Sequence, residues 1–113
     1  MELWDIENVS FFYDYKVLAR YIENNKTLKY VVGKEPSAYP RDNRLSKDSL
    51  YIRLKKREWN LDKGKRKIDE RLMDYYYKHK SHIKKLILIT AVSDFKPILD
   101  DATKNNIEVL LLN

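Results

Sequence analysis

No cysteine occurs among the 113 residues, which excludes disulfides and thiolate metal ligands. The two histidines, His79 and His82, lack a Cys or a further His at ligand spacing, so a zinc centre is not expected. Two glycines and three prolines are too few for a collagen-like, low-complexity or Gly/Ser-linker chain. Gly33-Lys34 and Gly64-Lys65 stand without the spacing of a phosphate-binding P-loop, and no Gly-x-Ser-x-Gly elbow offers a Ser–His–Asp hydrolase. No apolar run approaches the ~20 residues of a membrane span. Met1-Glu2-Leu3-Trp4 lacks the basic and apolar regions of a secretory leader, which makes the cytoplasm the default expectation.

What remains is enough for one domain. A hydrophobic content of 43% in 113 residues supports a single core, and a chain of this size buries roughly two-thirds of its unfolded surface. The net charge of +6 is concentrated: Arg53 to Lys67 holds eight basic residues against Glu58 and Asp62, which accounts for the whole excess. Positive charge gathered in one segment suits a polyanion, because each neutralised phosphate releases condensed counterions. Lys56, Arg57, Lys63, Lys65, Arg66 and Lys67 are the candidate RNA-binding residues; a solvated Lys-rich surface is the plain alternative.

Periodicity orders the chain. Glu2–Ile6 reads as a strand, and Asp14–Asn24 as a helix with Val17, Leu18, Tyr21 and Ile22 at helical spacing. Leu28–Val32 is a short strand closed by Gly33, and Lys34–Arg44, with Pro36 and Pro40, reads as a loop. Ser46 is placed to N-cap a helix running to about Lys56. Trp59–Leu61 is a brief strand ahead of the basic loop Asp62–Lys67, and Ile68–His79 is a helix. Lys85–Thr90, the most apolar strand, is expected at the centre of the sheet. Ser93 caps a last helix with Pro97 in its first turn, and Ile107–Leu112 is the final strand. The alternation predicts a three-layer α/β/α sandwich around a five-stranded, mostly parallel sheet.

In such a sheet, reacting groups collect beyond the carboxyl ends of the strands. Asp5 and Asn8 fall at the exit of the first strand, and Asp94 follows the exit of the fourth. Asp69 lies inside the apolar arc of Ile68–His79, with Leu72, Tyr75, Tyr76 and His79. An acid there must be paired, protonated or coordinated, although a first-turn acid also suits the helix dipole. Tyr75 and Tyr76 read as core residues and Tyr77 as the one left to solvent.

With these residues assembled, the chain resembles the NYN family of PIN-like nucleases. Trp4-Asp5-Ile6-Glu7-Asn8 matches the family's opening D-x-x-N in its limkain-type W-D-I-E-N form. Lys67-Ile68-Asp69 resembles its K-x-D at a helix start, and Thr90-Ala91-Val92-Ser93-Asp94-Phe95 resembles its S-G-D-S-D-F segment. The resemblance implies a PIN-like domain over residues 1–113 and a metal-dependent ribonuclease acting on RNA with Mg²⁺ or Mn²⁺. It implies Asp5, Asp69 and Asp94 as metal ligands and Asn8 as a fourth catalytic residue. Apart from the resemblance, the lack of a membrane-length apolar run leaves no membrane partner to expect, and a homodimer is a further expectation. Hard divalent cations take carboxylate and amide oxygens and activate water for in-line attack.

One position departs from the family. Val92 stands where the segment carries its first acid, with Ala91 in place of Gly. Loss of a carboxylate weakens a site of this kind, so a catalytically weakened or inactive relative that binds RNA or a protein partner is the alternative. A third reading, a flavodoxin-like domain that receives a phosphoryl group, needs an acceptor Asp at the place Val92 takes.

Overall fold

The computed structural model describes residues 1–7, 27–35, 41–90 and 95–112, apart from the side chains of 42–47. Five strands lie in one sheet: β1 (Glu2–Asp5), β2 (Lys29–Val32), β3 (Asn60–Asp62), β4 (Lys85–Ile89) and β5 (Glu108–Leu112). Three described helices connect them: α1 (Arg41–Lys56), α2 (Ile68–His79), continued by a 3₁₀ turn over Lys80–His82, and α3 (Lys96–Lys104). The strand order is β3-β2-β1-β4-β5, and every neighbouring pair is parallel.

The alternation of side chains across β1 sets up two cores. Leu3, with Val32 and Leu88, joins Leu72 and Tyr76 of α2 and Ile98 and Ala102 of α3 on one face. Trp4, with Val31 and Ile89, joins Tyr51 and Leu54 of α1 on the other. Trp4 meets Trp59 edge to face at 5.7 Å between ring centroids. Leu3, Val32, Leu72 and Leu88 are all fully buried, each stabilising the fold by about 1.5–3 kcal/mol.

Two expectations give way. The helix expected from Ser46 begins at Arg41 and takes in the end of the expected loop, so Ser46 lies within it. Pro40, immediately before Arg41, carried the stronger signal, because a proline is favoured at helix starts and cannot extend a helix backward. The middle place in the sheet belongs to β1; β4 sits between β1 and β5. Both strands are interior, and an apolar run marks burial on two faces without ranking the strands that share it. The segment Asp14–Asn24 and the cap at Ser93 lie outside the described residues.

A doubly wound sheet of this order reverses its winding between β1 and β4, and the crevice at that switch point opens at the carboxyl ends of the two strands.

Candidate active site

Asp5 is the last residue of β1 and stands at the mouth of that crevice. It is 3% exposed. Its Oδ1 accepts the backbone N–H of Glu7 at 3.0 Å, which turns the chain out of the strand and fixes the carboxylate. Register runs from Asp5 to Val32 and from Val32 to Asp62, so strand alternation puts all three on the face that carries α2 and α3.

On the other side of Asp5, Trp4 pairs with Ile89, and the next residue of the chain is Thr90. Its backbone N–H donates to Leu112 O at 3.1 Å. Thr90 is fully buried, yet its hydroxyl Oγ1 has no hydrogen-bond partner among the described residues. An unpartnered buried hydroxyl costs about 1–3 kcal/mol.

Asp69 reaches the same edge from α2. The helix follows β3 after a short loop, so its first turn lies at the carboxyl end of the sheet. Asp69 is half-buried, and it precedes the buried Leu72 and Tyr76 by three and seven residues, on the stripe that faces the sheet. Asp5 and Asp69 thus share one edge and one face. Asn8, Asp94 and Val92 lie outside the described residues. Among the described residues no group of three His, Asp or Glu side chains is close enough to hold a metal ion.

The basic segment divides in two. Lys56 and Arg57 leave α1 just before β3 begins, at the amino edge of the sheet, opposite Asp5. Lys63, Lys65, Arg66 and Lys67 belong to the loop after β3, at the carboxyl edge. Lys65, Arg66 and Lys67 are exposed. Arg66 is bound by Asp74 at 2.8 Å and reaches Glu70 at 3.9 Å, whereas Lys63 lies over the Tyr51 ring, 5.4 Å from its centroid.

That loop is held from beneath by residues to which sequence reasoning assigned no role at the site. Arg71, buried in α2, donates from Nη1 to Asp62 Oδ1 at 2.7 Å and to Asp62 O at 3.1 Å. Its Nε donates to Arg66 O at 3.0 Å and its Nη2 to Gly33 O at 3.2 Å. One guanidinium therefore ties together the two ends of the loop and the exit of β2. The remaining Asp62 oxygen accepts from the Tyr75 hydroxyl, while Gly64 N–H donates to Oδ1 at 3.0 Å. Burial pushes the Asp62 carboxyl up, but the bonds from Tyr75, Arg71 and Gly64 prevail and hold it below the usual carboxylate range. Burial and the Asp62 bond push the Tyr75 hydroxyl well up, so it stays protonated. The sequence offered only a partial signal, Arg71 at the flank of the apolar arc of α2; that Asp62 ends a strand nine residues earlier is seen only in the structure.

A model of the NYN domain matches residues 2–113. The chain belongs to the NYN domain family. No curated protein and no solved structure matches it. Membership brings a PIN-like, nuclease-type α/β domain, and the all-parallel sheet between helical layers agrees with it. No helix among the described residues is long and apolar enough to cross a membrane.

By chemistry alone, the oxygen donors at this edge, the Asp5 and Asp69 carboxylates and the Thr90 hydroxyl, are of the kind a hard divalent cation takes.

Proposed function

We propose that this NYN domain is a metal-dependent ribonuclease that hydrolyses RNA phosphodiester bonds at the carboxyl edge of its sheet, in the cytoplasm. The observation that carries the reading is the buried carboxylate of Asp5 at the switch point, with the Thr90 hydroxyl, which has no partner among the described residues, beside β1 and Asp69 on the same edge. Asp5, Asp69 and Asp94 are the residues that would hold Mg²⁺ or Mn²⁺. Such an ion supplies a water of depressed pKa and charge stabilisation for in-line displacement.

The rest is the work of the chain. The Glu7 N–H bonded to Oδ1 fixes the rotamer of Asp5, so its carboxylate is held in a set direction. Asn8 would orient water or backbone. Lys63, Lys65 and Lys67, at the same edge as Asp5, meet the phosphates of a single strand. Lys56 and Arg57, at the opposite edge, would serve only RNA long enough to wrap the domain.

The decisive experiment is cleavage of single-stranded RNA with Mn²⁺ by the wild type and by Asp5→Asn, with EDTA as control. Activity that needs both Asp5 and metal supports the reading, and activity indifferent to either overturns it. The second reading, an RNA-binding relative that cuts poorly, is favoured by one observation: Val92 replaces an acid of the family segment.

A further inference from the structure

A cleft of about 420 Å³ opens between the loop after β3 and α2, lined by Asp62, Gly64, Lys65, Arg66, Arg71, Asp74 and Tyr75. Its charges are mostly spoken for. Arg71 is paired with Asp62 and Arg66 with Asp74, which leaves Lys65 as the lining cation with no ion-pair partner among the described residues.

Its one aromatic wall is fixed on two sides. The Tyr75 ring stacks on Tyr30 at 3.9 Å between centroids with planes 14° apart. The Tyr75 hydroxyl is bound to Asp62, which is itself held by Arg71 and Gly64. Tyr75 lines the cleft and its stacking partner Tyr30 does not. A ring locked in this way loses no rotamer freedom when a second flat group packs against it. An immobilised aromatic beside a cation with no ion-pair partner among the described residues has the chemistry of a base-stacking and phosphate-binding site.

We propose that this cleft is a subsite for one nucleotide of single-stranded RNA, with the base against Tyr75 and its phosphate on Lys65. The proposal rests on the ribonuclease reading and deepens it: the cleft lies at the carboxyl edge, on the α2 flank of Asp5 and Asp69, and so holds a nucleotide to one side of the scissile bond. Arg71 and Asp62 act as positioning residues that hold the wall and the loop in place.

Anisotropy of a short end-labelled single-stranded RNA in EDTA measures binding apart from cleavage. Tyr75→Leu should weaken binding by about tenfold with an unchanged salt slope, because stacking releases no counterions. Lys65→Gln should weaken it and reduce the salt slope by about 0.7. Tyr75→Phe keeps the ring and should retain most of the affinity. Should Tyr75→Leu fail to fold, titration of the wild type with adenosine monophosphate should shift the Gly64 and Lys65 amide resonances in a saturable manner. Tyr75→Leu binding as tightly as wild type, or no saturable shift with the mononucleotide, overturns the subsite. The ribonuclease reading stands in that case, provided the combined Lys63, Lys65 and Arg66→Gln variant still loses RNA affinity; absence of RNA binding by the wild type overturns both.

Discussion

The Arg71 guanidinium and the Asp62 carboxylate meet at 2.7 Å, with the Arg71 side chain 6% exposed and that of Asp62 21% exposed. The pair joins a helix to the end of an edge strand and, through Gly33 O, to the strand beside it. Removing one partner leaves the other charge buried and uncompensated. Asp62→Asn should therefore lower stability by roughly 3 kcal/mol at neutral pH in a urea denaturation, and Arg71→Lys should not rescue the fork, since an ammonium cannot span four acceptors on three elements.

Acid should expose the same pair. The folded carboxyl of Asp62 titrates below its ordinary value, so the folded state binds fewer protons than the unfolded chain between the two values, and stability rises with pH across that window. The contribution is fully present above about pH 4 and is lost as pH falls through the depressed folded value. Asp101 moves in the same direction, through its bond from Tyr76 and its pairing with Lys80. The acid limb of a thermal-stability profile should accordingly be shallower in Asp62→Asn than in the wild type; an identical limb would show that the pair does not set it.

Gly33 tolerates no side chain. A Cβ there would overlap the Tyr51 hydroxyl and lie 2.6 Å from Ile6 Cγ2. Gly33→Ala should cost about 1–3 kcal/mol through overpacking, and Tyr51→Phe in the same chain should recover part of that loss, because it removes the clashing oxygen. Chemical denaturation of the single and double variants measures both.

Substitution at Val92 offers a test that separates cutting from binding. Val92→Asp adds a carboxylate to the family segment, and it should raise both Mn²⁺ affinity and RNA cleavage. Asp5→Asn should abolish the gain. Robust wild-type cleavage that depends on Asp5 and is unchanged by Val92→Asp would show that the missing acid has no bearing.

Much of the fold was legible because its signals are local. Ile68–His79 was bounded correctly by helical spacing alone, and β1, β2, β4 and β5 followed from short apolar runs within a residue at either end. The beginning of α1 was hidden by the competing cap at Ser46. The shared edge of Asp5 and Asp69 was legible, since a strand exit and an acid within an apolar arc are both patterns in one dimension. The Asp62–Arg71 pair was not, because Asp62 read as one acid in a basic run and its strand end became visible only once β3 extended to it. The separation of Lys56 and Arg57 from Lys63–Lys67 was hidden for a related reason: charge counted along a chain does not register that β3 crosses the sheet between them.

The central place of β1 has a consequence for the order in which the molecule can assemble. Glu2, Leu3 and Trp4 find partners in β2 on one flank and in β4, most of the chain away, on the other. A nascent chain interrupted before Leu86 would hold β1 with one flank bare and with Leu3 and Leu72 lacking the apolar neighbours β4 brings. Closure of so distant a pairing is slow, and until it happens the growing chain exposes an unpaired parallel edge that invites association with other chains.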